Sequence, residues 1–468
     1  MKLVAENGSA CRPPPGNTFL AIGQDFFSIQ EYIQSQYNTS LHRTILENNR
    51  SDGAVVPAVS LQDFVPAAVM TYTDIHKLQG LTEPADYGSG IEYTQGLVEA
   101  FPHSALQIGL WLNGTSGCQD ILDGKLDSQI HALFDFIGRQ SSIPKVFLRV
   151  GYEFDNPWFG FSDSPSTYQA AFRQVVADCE RQLGRRKCHT KVAFVWHSWA
   201  APRTVPSLNA FYPGNDVVDW VGVSIFQQLY PWANARKNDS DASNTFAGGS
   251  LEHVKEVLDF AKANEKPIMI AESTPYGGIH VAATGVAKGY FDDSSSEGQN
   301  GDILWELWYQ KTIDLIERYD ISMWSYINCD WDSQPMWRGI GFGDTRISSS
   351  RLITMNWWEH VMKKPTRFLN RIQCKDSNID ADTTHFPSVS TVTLARARVF
   401  DTSNHNFSLR RHHMKHLLLA STAIVIVMTY YWHRRIRGQQ RLLDSHQRFA
   451  RSTSTLYGSM GARNYQFR

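Results

Sequence analysis

Apolar runs of five to nine residues recur along this chain from about residue 18 to residue 365. They are Thr18–Ile22, Ala67–Tyr72, Leu106–Leu112, Val146–Val150, Val192–Trp196, Val217–Ile225, Pro267–Ala271 and Ile321–Tyr326. Between them apolar residues return every three or four positions, as in Leu126, Ile130, Leu133, Phe134 and Ile137, which is the period of a helix face. Ser164 followed by Pro165 predicts a helix start, and Tyr168, Ala171, Phe172, Val175 and Cys179 continue one face. Leu251–Lys262 and Ile303–Ile316 behave likewise. Continuous apolar strands alternating with helices predict a parallel sheet covered by helices. Eight such units over about 350 residues predict an α/β fold of the (β/α)8 TIM-barrel type. A doubly wound open sheet is the alternative, but no glycine-rich phosphate loop follows the first run.

The pattern predicts a barrel over 18–365, preceded by a short N-terminal segment, 1–17. Residues 366–416 are rich in Ser, Thr, Asn and Asp and read as a stalk. Leu417–Trp432 holds sixteen residues without a charge, closed by Tyr430, Tyr431 and Trp432 and flanked by basic residues. At about 1.5 Å per residue it spans roughly 24 Å, short for a roughly 30 Å hydrocarbon core but completed by snorkelling flanks. It predicts one C-terminal transmembrane helix in a lipid bilayer, with 433–468 as a basic tail. Basic residues favour the C-terminal side, which predicts a cytosolic tail and a lumenal or extracellular body, in the secretory pathway, Golgi or cell surface. That orientation calls for an export signal, and Met1–Gly16 lacks an apolar core for one, so a signal encoded further upstream is expected, the alternative being post-translational insertion with the body cytosolic.

The net charge of −1 conceals a division: residues 1–408 carry 34 Lys+Arg against 45 Asp+Glu, and residues 409–468 carry 11 against one. An acidic body argues against nucleic acid as a partner. Six Asn-x-Ser/Thr triplets, at Asn7, Asn38, Asn49, Asn113, Asn238 and Asn406, suit a glycosylated lumenal body. Of six cysteines, Cys179 and Cys188 are close enough to clip a helix end, and no pair has the spacing of a zinc knuckle or redox motif. Neither metal nor cofactor is expected.

In such barrels chemistry sits at the C-terminal ends of strands. The fourth run is followed by Gly151-Tyr152-Glu153, and the seventh by Glu272-Ser273-Thr274. Two carboxylates across a barrel mouth suit glycoside hydrolysis, one protonating the leaving oxygen and the other attacking the anomeric carbon. The structural alternative is that each pairs with an arginine or caps a helix.

These residues sit in motifs that resemble glycoside hydrolase clan A, most closely its family 26, the β-mannanase family. Arg149-Val150-Gly151-Tyr152-Glu153 is similar to the family's Arg-Pro-x-His-Glu, and Phe211-Tyr212-Pro213-Gly214 with Val218-Asp219-Trp220-Val221-Gly222 to its YYPGD…VDWVG string. Val195-Trp196-His197-Ser198 sits at its strand-five Trp, and Lys266-Pro267 leading to Glu272 resembles its nucleophile strand. The resemblance implies a retaining hydrolase of a β-linked polysaccharide or glycan, with β-mannan as the candidate substrate, Glu153 as acid/base and Glu272 as nucleophile. Tyr152 stands where the family has His, and Phe226 where it has Tyr; Tyr230 is the candidate replacement. A carbohydrate-binding receptor or a transglycosylase would carry the same pattern.

Candidate sugar contacts are Trp111, Trp158, Trp196, Trp232, Trp324 and Trp331, since a flat ring stacks on a pyranose face. Gln24 and Asp25 follow the first run, although Asp25 suits a helix N-cap equally well. Arg149, Tyr152, His197 and Asn328 complete the substrate-binding candidates, with interior ion pairing and core packing as the alternatives for Arg149 and His197.

Overall fold

In the computed structural model the described residues are 11–48, 60–201, 207–226, 251–279, 305–338 and 342–372. Eight parallel strands form the centre: β1 Thr18–Gly23, β2 Ala68–Asp74, β3 Ala105–Trp111, β4 Val146–Val150, β5 Val192–Ser198, β6 Trp220–Ile225, β7 Ile268–Ser273 and β8 Met323–Ile327. Each pairs with the next, and β8 pairs with β1 from Phe19↔Met323 to Gly23↔Ile327, so the sheet closes on itself. Closure excludes the open-sheet alternative. The sixth strand starts at Trp220, three residues later than the apolar run, because Asn215–Val217 form a turn below it.

Helices α1 Phe26–Asn48, α2 Asp127–Arg139, α3 Pro165–Leu183, α4 Leu251–Ala263, α5 Trp305–Tyr319 and α6 Arg351–Trp357 form the outer layer. Pro165 opens α3 as its sequence predicts, but the Ser164 hydroxyl bonds Thr167 Oγ1 at 2.7 Å rather than capping the backbone. Cys179 at the end of α3 forms a disulfide with Cys188, their Cα atoms 5.7 Å apart. The packed chain runs past 365: Phe368–Leu369 pairs with β1, and Ile372 is buried.

Strand alternation separates two cores. Phe19, Ala21, Phe147, Ala193, Val195, Trp220, Met269 and Met323 fill the barrel, while Ile22, Leu148, Trp196, Val221, Ile270 and Trp324 belong to the barrel–helix core. Above the apolar filling lies a polar layer, where Ser325 Oγ donates to Gln107 Oε1 and Gln107 Nε2 donates to the Ala271 carbonyl. The active-site candidates stand on that layer. Among the described residues no helix is long and apolar enough to cross a membrane; the proposed span 417–432 and tail 433–468 lie outside the described residues, as does the stalk beyond 372.

Candidate active site

Arg149 is the inward residue near the top of β4 and is fully buried. Gly109 on neighbouring β3 makes room for it: a Cβ there would lie 2.9 Å from Arg149 Nη2 and 2.5 Å from the Tyr72 ring. Arg149 Nη1 donates to Glu272 Oε1. Its guanidinium carbon lies 4.9 Å from the centre of the Tyr72 ring and 5.3 Å from that of Tyr152, within cation–π range. Burial opposes the guanidinium charge, yet Tyr72 and Glu272 hold its pKa above the ordinary value.

Glu272 reaches this position through an irregularity in β7. Met269 and Ala271 already face the interior, so strict alternation would turn Glu272 outward beside Ile270. The register instead shifts between Val223↔Ile270 and Ser224↔Glu272, leaving Ala271 as an extra residue. A bulge of this kind re-aims the following side chain. Glu272 thereby meets Arg149.

Glu153 lies in the loop after β4, with Gly151 and Glu153 both in the left-handed region at φ 57° and 54°. The neighbours hold this conformation. Phe154 N donates to the His197 carbonyl at 3.1 Å, and the Phe154 ring stacks on Trp196 at 4.3 Å. Buried Asp155 accepts from Ser198 Oγ, Trp199 N and Ala201 N at 2.8, 2.6 and 3.2 Å, tying the β4 and β5 loops together. Ser224 Oγ donates to Glu153 Oε1 at 2.6 Å, and Asn156 Nδ2 approaches Oε2 at 3.3 Å. Burial, with the nearby Glu272 charge, pushes the Glu153 carboxyl well above the usual carboxylate range, against the opposing effect of those hydrogen bonds and Arg149. One carboxyl is thus favoured in its protonated form beside another bound to a guanidinium.

His197 is fully buried, with Nδ1 3.3 Å from Arg149 Nη1 and Nε2 3.0 Å from Ser224 Oγ. Burial and the guanidinium hold it neutral, well below the usual imidazole value. It has no surface with which to meet a sugar, so the core alternative describes its position. Tyr152 and Trp111 are half-buried at the mouth, their ring centres 6.0 Å apart, with Phe159 4.6 Å from Trp111. Trp158 on the same loop is 44% exposed.

Other predicted contacts lie elsewhere. Trp196 and Trp324 alternate with inward His197 and Ser325, so both point outward: Trp196 onto Phe154 and Phe260, and Trp324 onto Trp357 and Phe368. Trp331 is buried, stacked on Phe342 at 4.6 Å with its indole N–H on Thr345 Oγ1. Asn328 donates to Glu31 Oε2 at 2.6 Å and to the Ser28 carbonyl, and accepts from Ile347 N at 2.8 Å. Asp25 caps α1 by accepting from Phe27 N and Ser28 N, and Gln24 Nε2 reaches the Ser89 carbonyl and Gln334 Oε1. Each of these positions is occupied by packing or internal bonding, which a single strand's sequence does not reveal. Tyr230 and Trp232 lie outside the described residues.

Sequence reasoning missed Tyr72, Asn156 and Ser224. Inward alternation in β2 from Ala68 through Met70 would have flagged Tyr72. No local signal marks Ser224, which matters only through partners on β4 and β5.

No family model matches the chain. A β-1,3-xylanase of an Alcaligenes species is 26% identical over 370 residues, covering 76% of this chain and 66% of that protein. The β-1,3-xylanase TXYA of a Vibrio species is 27% identical over 359 residues, covering 74% and 65%. The chain thus spans about two thirds of the length of these curated relatives. The solved structure of a Bacillus subtilis mannanase aligns with 82% of this chain and 94% of its own, at 15% identity and a TM-score of 0.41. In sequence, then, this chain is similar to glycoside hydrolases, and its closed barrel carries Glu153 and Glu272 at the two strand ends that the clan A resemblance implies.

Proposed function

We propose that this chain is a retaining glycoside hydrolase acting on a β-linked polysaccharide, with Glu272 as nucleophile and Glu153 as general acid/base. The observation that carries the reading is the contrasting setting of the two carboxyls: Glu272 bound to Arg149, Glu153 buried and raised in pKa. Glu153 protonates the departing glycosidic oxygen while Glu272 attacks the anomeric carbon, forming a glycosyl-enzyme ester. Glu153, now a carboxylate, then takes a proton from water as that water cleaves the ester. Tyr152 against Arg149, Trp111 packed on Tyr152, and exposed Trp158 on the loop that carries Glu153 offer aromatic surface for the sugar.

The names of the curated relatives make β-1,3-xylan the first substrate to test, ahead of the β-mannan suggested by the motifs. The Cys179–Cys188 disulfide supports an oxidising compartment for the body, and Leu417–Trp432 is the proposed anchor. The test is incubation of the full chain with β-1,3-xylan, β-mannan and β-glucan, following the anomeric proton of the first product by NMR. Release of product with retained configuration is expected. Inversion overturns the nucleophile role of Glu272. Glycan binding without cleavage, equal in Glu153→Ala and Glu272→Ala, overturns the enzyme in favour of a carbohydrate-binding barrel.

A further inference from the structure

Three side chains from three strands connect the two carboxyls, in the order Glu272, Arg149, His197, Ser224 and Glu153, each within hydrogen-bond distance of the next. The direction of every bond in this series is fixed by chemistry. A guanidinium only donates, so His197 Nδ1 must present its lone pair to Arg149 Nη1. Neutral His197 therefore carries its hydrogen on Nε2 and donates it to Ser224 Oγ. The single Ser224 hydrogen is left for Glu153 Oε1. The opposite tautomer would set an N–H of His197 against an N–H of Arg149. Ser224 and His197 are both fully buried, which removes water as a competing partner.

We propose, on the reading of Glu153 as acid/base, that His197 and Ser224 are positioning residues that hold Glu153 Oε1 as a permanent acceptor and so confine the exchangeable proton to Oε2. Arg149 thereby acts on both carboxyls: directly on Glu272, and on Glu153 through two oriented dipoles. The Ser224 hydrogen bond favours the carboxylate, whereas burial and Glu272 favour the acid. The balance lets one carboxyl serve as acid in the first step and base in the second. The charged and titratable groups around Glu153 are Glu272 on β7, Arg149 on β4, His197 on β5 and the Tyr152 hydroxyl, with Tyr72 acting on Arg149 and Glu272.

The test follows the Glu153 side-chain carboxyl carbon by carbon-13 NMR across a pH titration, with Glu153→Gln identifying the resonance. Removing the donor in Ser224→Ala should raise the Glu153 midpoint by about one pH unit, and Ser224→Thr, which keeps a hydroxyl, should return it. His197→Leu should raise it by a smaller amount, whereas His197→Gln, whose amide still donates towards Ser224, should not. The alkaline limb of kcat/KM should move upward with the same variants. Unmoved midpoints in Ser224→Ala and His197→Leu overturn the proposal. Should either Ser224 variant fail to fold, the His197 pair alone decides it. Moved midpoints in a protein that cleaves no glycan overturn the hydrolase reading while upholding the control of the Glu153 proton; cleavage with unmoved midpoints does the reverse.

Discussion

Two sides of the barrel mouth carry similar residues and do different work. On the β4–β7 side, Glu153, Glu272, Arg149 and His197 are joined to one another, with half-buried Tyr152 and Trp111 beside them. On the β8–β1 side, Gln24, Asp25, Asn328 and Trp331 occupy equivalent positions after their strands, yet bond to α1, to Gln334 or to Thr345. The difference lies in where the polar atoms go. Backbone N–H groups at the start of α1 and near Ile347 need acceptors, and Asp25 and Asn328 supply them. Around Glu153 and Glu272 the partners are other side chains, so burial raises one acid instead of satisfying a helix end.

Substitutions should separate the two sides, beginning with Glu272→Ala. Loss of the nucleophile should lower kcat by about 10⁴-fold or more, measured on whichever glycan the parent cleaves. It should also lower stability by about 3 kcal/mol, because Arg149 would remain buried without its carboxylate, a change that denaturant unfolding would register. Unchanged stability would show that the ion pair is dispensable to the barrel.

Glu153→Gln should reduce kcat by about 10²–10⁴-fold and change the pH dependence of stability. Native Glu153 has its pKa raised above the unfolded value of 4.5, so between the two values the native state holds a proton that the unfolded chain has released. Stability of the parent should therefore decline as pH rises through that window. The variant's stability relative to the parent should increase with pH; parallel profiles would contradict the buried-acid assignment.

Asn328→Ala tests the other side. It leaves Ile347 N and Glu31 Oε2 without their Asn328 partner and should cost about 2 kcal/mol in unfolding experiments. Its kcat should stay within about twofold, whereas a large loss of rate would draw the β8–β1 side into the chemistry. Smallest of all, Trp158→Ala should change stability by about 0.5 kcal/mol or less, since the residue is 44% exposed. Loss of a stacking ring should raise KM about fivefold, and an unaltered KM would remove Trp158 from the sugar path.

Much of this arrangement is legible in one dimension. Periods of two and of 3.6 residues are local, so the eight apolar runs and four of the helices, α2 to α5, lie within a few residues of where the pattern put them, whereas α1 and α6 were not anticipated. The Cys179–Cys188 disulfide followed from nine residues of separation, and two glutamates after continuous apolar strands marked the candidate site. What proximity to a strand end could not convey was the direction of each side chain. His197 faces inward and Trp196 outward, although they are adjacent. Glu272 faces Arg149 only because Ala271 is an extra residue in the pairing with β6.

Sequence by itself determined the barrel's order and singled out the two candidate acids, because periodicity and a carboxylate at a strand end are properties of neighbouring residues. Only the tertiary structure decided which tryptophans serve the core, that Tyr72 and Ser224 join the site, and that Glu153 is the acid with the raised pKa. Those outcomes depend on register, closure and burial, and each requires contacts between strands that lie tens to hundreds of residues apart.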